Sequence, residues 1–193
     1  GVVHGDLRPE NVILPSEAGR EIEAGQPVLL DGALHHLRKR AIGLDESLPI
    51  GKLAYLAPEQ ASGEQGTADV AGDIFALGAI LYECLTGKQA FLGPELEDVL
   101  ERLSSPPPAL QLPRELGAPP GLSEALDAVI RRACSRDPSE RFESMDELLT
   151  VLGEGFEKSG LPLPPPDERV PIDTLLSQNK GLRKRTKIGR AHV

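Results

Sequence analysis

The stretch from Asp73 to Gly87, reading Asp-Ile-Phe-Ala-Leu-Gly-Ala-Ile-Leu-Tyr-Glu-Cys-Leu-Thr-Gly, constrains the fold more than any other. It is apolar nearly all round at helical spacing, so it predicts a buried helix with other elements packed against it. Its longest apolar run, Ile74 to Tyr82, is far too short to span a bilayer. Gly87 is a natural stop. Three amphipathic helices follow. Leu96, Val99, Leu100 and Leu103 share one side of Glu95 to Leu103, and Leu122, Leu126, Val129, Ile130 and Ala133 share a face of the next helix. For that second helix Ser123 is the expected N-cap, and Arg131-Arg132 close it in keeping with the dipole. Ser144 caps a last helix that turns Met145, Leu148, Leu149 and Leu152 inward. Prolines from Pro106 to Pro120 make an extended connection between them.

With 193 residues, 39% of them hydrophobic, the chain can bury one full domain core. Of its 21 lysines and arginines, six fall between Lys180 and Val193, where there is no acid. That leaves fifteen against 30 acidic residues in the body, which argues against nucleic acid as the main partner. Cys84 and Cys134 each sit among apolar residues in a helical pattern and read as buried, reduced thiols. His35-His36 lack partners at metal-ligand spacing. No signal peptide is recognisable.

The start of the chain carries the chemistry. Val2-Val3 reads as a short strand leading into His4-Gly5-Asp6-Leu7-Arg8-Pro9-Glu10-Asn11, and Val12 to Leu14 and Val28 to Leu30 read as two more strands. Leu7 can bury beneath the loop, and Pro9 stiffens the turn that brings Asn11 round. Asp31 follows the third strand directly. From Gly32 to Leu56 the pattern is weak, with Arg38-Lys39-Arg40 and Asp45-Glu46 in what reads as a long irregular loop. Ala57-Pro58-Glu59 comes next, and Asp137-Pro138-Ser139-Glu140-Arg141-Phe142 precedes the last helix.

Taken together, these motifs resemble the C-terminal lobe of a serine/threonine protein kinase, most like the bacterial type, over residues 1 to 157. The resemblance implies a kinase-like α+β fold, here mostly helical with a few short strands around the catalytic loop. It implies that Asp6 is the catalytic aspartate that accepts the substrate hydroxyl proton, and that Arg8 reaches the transferred phosphate. Asn11 and Asp31 would hold Mg²⁺ against the phosphates of ATP, so that Asn11, Asp31 and Arg8 bind the cofactor. His4 belongs to the loop's framework, Asp73 holds the loop backbone by hydrogen bonds, and Arg141 pairs with Glu59 as a buried ion pair. The expected cofactors are ATP and Mg²⁺, and the expected partner is a protein substrate.

Four positions depart from the family pattern. Gly5 stands where an arginine commonly binds an activation-loop phosphate, and Arg8 replaces the usual lysine. Gly32-Ala33 replaces phenylalanine-glycine after the metal aspartate. Lys52 stands where a threonine is usual in the substrate-docking loop, and its ammonium could pair with Asp6 and block or retune it. The glycine-rich loop and phosphate-binding lysine of the N-terminal lobe do not occur in this sequence, so these residues by themselves are expected to be inactive. A pseudokinase serving as a binding or regulatory module is the competing reading. A small-molecule phosphotransferase is a third, disfavoured by Ala57-Pro58-Glu59 and the Asp-Pro-x-x-Arg ending.

Residues 158–187 read as a tail, proline-rich at Leu161 to Pro166 and basic at Lys180, Arg183, Lys184, Arg185 and Lys187. The basic cluster suits a cytoplasmic flank before a membrane anchor beyond the C-terminus. The expected location is the bacterial cytoplasm, either free or as the cytoplasmic part of an anchored kinase. Residues 188–193, Ile-Gly-Arg-Ala-His-Val, match the translation of a common short-read sequencing adapter and are not expected to belong to the fold.

Overall fold

The computed structural model describes residues 3–13, 28–30, 50–61, 69–112, 117–119 and 121–161. In chain order these form a 3-10 turn at Pro9–Asn11, strands β1 (Val12–Ile13) and β2 (Val28–Leu29), and helices α1 (Ile50–Leu53), α2 (Pro58–Ala61), α3 (Val70–Thr86), α4 (Leu96–Leu103) and α5 (Leu122–Ala133). A second 3-10 turn, Pro138–Glu140, leads to α6 (Met145–Lys158). Asp31, Gly32-Ala33, His35-His36, the basic run at 38–40 and the tail from 162 onward lie outside the described residues.

Helix α3 is the buried axis that its composition demands. Asp69 caps its start by accepting from the Gly72 amide at 2.8 Å, and Gly87 ends it with a left-handed φ of 69°. The helix separates two apolar groups. Phe75, Ala79 and Tyr82 join Tyr55, Phe91, Val99, Leu103, Leu126 and Ile130, with the Phe75 and Phe91 rings stacked 5.2 Å apart. Ile74 instead meets Val129, Ala133, Phe142 and Leu148. Helix α5 packs on α3 and on α6, so the three helices form the body of the lobe.

The approach of α3 to α5 depends on a missing side chain. A Cβ on Gly78 would stand 2.7 Å from Cys134 Sγ and 2.8 Å from Ala133 Cβ, closer than packed atoms tolerate. Gly78→Ala should therefore destabilise the lobe by about 1–3 kcal/mol through overpacking, despite the better helix propensity of alanine. Urea unfolding followed by circular dichroism would measure it, and an unchanged midpoint would mean that the helices can part at no cost.

Several local expectations need correction. Val3 is not in a strand, and the N–H of the next residue, His4, is donated to the Asp73 carboxylate of α3 at 2.7 Å, while Val2 lies outside the described residues. The two strands that do pair are antiparallel, with Val12 opposite Leu29 and Ile13 opposite Val28. The irregular loop ends sooner than expected, since Ile50–Leu53 forms a helical turn that buries Leu53. Ser123 does not cap α5. Gly121 holds that position with φ 84°, and the Ser123 hydroxyl reaches Leu110 O at 3.5 Å instead. Ser144 does cap α6, accepting from the Glu147 amide at 3.1 Å, but Leu149 turns outward and is 54% exposed. Leu148 takes the inward direction and Leu149 lies about 100° further round the helix. Cys134 is buried, which pushes its thiol up to about 12, whereas Cys84 is exposed.

Candidate active site

The first turn of α3 fixes the loop from His4 to Asn11. Asp73 is buried there, and its carboxylate accepts the backbone N–H of His4 at 2.7 Å and of Gly5 at 2.8 Å. Without those donors a buried carboxylate would be costly, and without the carboxylate two buried amides would be orphaned. Gly5 itself has φ 75°, a left-handed backbone that glycine adopts without strain. An arginine at this place would be strained by about 1–2 kcal/mol.

His4 ties the loop to β2. Its Nδ1 accepts the Asp6 N–H at 3.3 Å, which leaves the proton on Nε2 to be donated to Leu30 O at 2.8 Å. Leu30 N in turn donates to Asn11 O at 2.8 Å. The residue before Asp31 is thus held to both ends of the loop.

Asn11 is buried, and its amide nitrogen donates to Asp6 O at 2.7 Å and approaches Asp6 Oδ2 at 3.3 Å. Two acceptors on that side identify it as the nitrogen, so the Asn11 carbonyl oxygen faces elsewhere. Arg8 lies beside Asp6, with Nη2 at 3.2 Å from Oδ2, and its Nε is 3.9 Å from Glu10 Oε2. That Nε is buried and makes no hydrogen bond. The Asp6 side chain remains 20% exposed and opens on a small pocket shared with Arg8, Lys52, Tyr55, Gln60 and Gly72.

Behind the pocket the Glu59–Arg141 pair locks α2 to the body. Arg141 Nη1 and Nη2 donate to Glu59 Oε1 and Oε2 at 2.7 and 2.8 Å. Its other contacts are to Ser135 O at 2.8 Å, Ala71 O at 3.0 Å and Arg136 O at 3.3 Å, while Phe75 lies 5.1 Å below the guanidinium. A bidentate pair of this kind fixes orientation as well as distance.

The family model for the protein kinase domain matches residues 1–151. The chain belongs to the protein kinase family. Bacterial kinases are among its relatives. It is 30% identical over 188 residues to the probable serine/threonine-protein kinase PkwA of Thermomonospora curvata, covering 94% of this chain and 22% of that protein. It is 35% identical over 163 residues to the tyrosine-protein kinase MasK of Myxococcus xanthus, covering 82% and 23%. The serine/threonine-protein kinase PknJ of Mycobacterium tuberculosis is 36% identical over 152 residues, covering 76% and 24%. The chain therefore spans less than a quarter of the length of these curated relatives. ATP and Mg²⁺ use is general to the protein kinase family. No helix among the described residues is long and apolar enough to cross a membrane.

For this kinase lobe, the structure brings together His4, Asp6, Arg8, Asn11 and Asp73 at the loop, and Glu59 with Arg141 behind it. Three contributors to the pocket were not singled out in the sequence. Tyr55 is buried, which pushes its phenol well up, and it hydrogen-bonds Glu83 and accepts from Gln89 at 2.7 Å. Gln60 accepts from the Ala57 amide at 3.0 Å, and a Cβ on Gly72 would meet Gln60 Nε2 at 2.9 Å. The glycine one residue before Asp73 was the available signal, as a small residue beside a functional carboxylate.

Proposed function

We propose that the lobe belongs to an enzyme that transfers the γ-phosphate of ATP to serine and threonine hydroxyls of proteins. The observation that supports this most is the Asp6 carboxylate, partly exposed at the pocket while the backbone before it is clamped by Asp73. A general base must be held still yet be reachable. In this reading Asp6 accepts the proton of the acceptor hydroxyl as its oxygen bonds to the γ-phosphorus and ADP departs. Residues 1–157 form the kinase lobe and residues 158–187 a tail.

The donor sets suit the expected cofactors. The carbonyl oxygen of Asn11, turned away from Asp6, is a hard oxygen ligand, and Asp31, outside the described residues, would supply the second. Mg²⁺ characteristically takes one or two protein oxygens and completes its shell with phosphates and water. Bound there, it would neutralise charge on the phosphates of ATP. The buried Nε of Arg8, which has no hydrogen-bond partner, suits an incoming phosphate oxygen. ATP and acceptor proteins meet in the cytoplasm, and a membrane anchor after the basic tail would make this the cytoplasmic part of an anchored kinase.

The test is nucleotide binding by the chain joined to a glycine-rich N-terminal lobe. Thermal-shift titration with ATP should show stabilisation that requires Mg²⁺ and disappears in Asp31→Asn. Binding that ignores Mg²⁺, or no binding, would favour a pseudokinase instead. That second reading draws on Arg8, which already engages Asp6 Oδ2 at 3.2 Å, and on Lys52 in the same pocket. Control should also differ from arginine-bearing kinases. With Gly5 offering no cation to an activation-loop phosphate, phosphatase treatment of the active protein should change kcat by less than about twofold. A large loss on treatment would sink this expectation.

A further inference from the structure

We infer that Lys52 selects acceptor hydroxyls flanked by aspartate or glutamate side chains. The inference rests on the reading above that the pocket at Asp6 receives the acceptor. Lys52 lies in the last turn of α1, half-buried, and lines that pocket. Its neighbours leave the wall short of acceptors. Both Asp73 oxygens are taken by the loop amides, and Gln60 Oε1 accepts from Ala57, so the amide group that Gln60 has left to offer is a donor. Among the described residues no acid forms an ion pair with Lys52. The Asp6 carboxylate, the one acid that an ammonium here would naturally seek, is engaged by Arg8 at 3.2 Å and approached by Asn11 at 3.3 Å.

An acceptor hydroxyl must come within hydrogen-bond reach of Asp6. Its sequence neighbours, about 3.8 Å away along the chain, then pass the Lys52 wall. A carboxylate there gains a partner, whereas a lysine or arginine meets Lys52 and Arg8 and is repelled. The chain carries a net charge of −9, so its overall field repels an acidic peptide and the attraction must come from this local cationic wall. Acidic flanks are therefore rewarded at the pocket and nowhere favoured by the general field.

The experiment uses the 193-residue chain and three fluorescein-labelled peptides with one central serine flanked on both sides by glutamate, alanine or lysine. Fluorescence anisotropy should give the tightest Kd for the glutamate peptide, about fivefold below the alanine peptide, with the gap closing at high salt. Lys52→Glu should reverse the order, and Lys52→Thr should narrow the differences to what Arg8 contributes. Equal affinities, no peptide binding at all, or an order that survives Lys52→Glu would overturn the inference. Lys52-dependent binding without phosphate transfer, once the N-terminal lobe is joined, would leave selectivity standing and remove the kinase activity. Transfer with equal kcat/KM to all three peptides would do the opposite.

Discussion

Arg141→Ala should destabilise the lobe by about 3–5 kcal/mol, the cost of removing one member of a buried ion pair. The Arg141 side chain is 0% exposed and that of Glu59 is 25% exposed, so the loss should fall toward the lower end of that range. Truncation takes the Arg141 guanidinium from the Glu59 carboxylate and leaves the carbonyls of Ser135, Ala71 and Arg136 without the donor they now share. A domain holds only about 5–15 kcal/mol in total, so a large part of its stability goes with this one side chain. Urea unfolding is the direct measurement. Replacing both partners with methionine should recover part of the loss, because no charge is then stranded. A single variant within about 0.5 kcal/mol of the parent would show that water already solvates the pair and that it contributes little.

The second large effect is expected at Asp73. Asp73→Asn keeps the size of the side chain but turns one acceptor into a donor, which then faces a backbone N–H on His4 or Gly5. That amide loses its partner, at about 1–3 kcal/mol for a buried group, and the loop shifts to relieve the contact. Placement of Asp6 should suffer with it, and a displacement of about 1 Å at a reacting group can cost roughly a hundredfold in rate. Hydrogen exchange offers a readout independent of activity. In the parent chain the His4 and Gly5 amides should be protected, and in Asp73→Asn at least one should exchange much faster. If both stay protected, the loop is held by something other than this carboxylate.

Both predictions concern residues whose partners were legible in the sequence, for a reason that does not extend to the whole chain. A buried charge must have a partner, and the resemblance to protein kinases implied which one: Asp73 for the loop amides, Arg141 for Glu59. Apolar periodicity was less specific. It placed Leu148 and Leu149 on the same face, although adjacent helical residues point about 100° apart and the core could take only one of them. It also read Cys84 as buried, because α3 is apolar nearly all round yet leaves that side chain at the surface. Ser123 carried the right chemistry for a cap, but Gly121 supplied the turn and Leu110 claimed the hydroxyl. Tyr55, Glu83 and Gln89 were out of reach for another reason. They meet across 28 and 34 positions, and each by itself reads as an ordinary residue.

The first turn of α3 serves three ends at once: the Asp73 carboxylate takes the loop amides, the Ala71 carbonyl receives Arg141, and Gly72 lines the pocket. The loop is thereby joined to the part of the lobe that should be last to open, and it has lost its freedom before any ligand arrives. Ordering a residue's backbone costs about 1–2 kcal/mol at room temperature, a cost that falls here on the folding of the helix body. Whatever docks over the exposed side chains of Ile13, Leu29 and Leu30 meets a half-site already in register, so its affinity is not diminished by an entropy of loop closure.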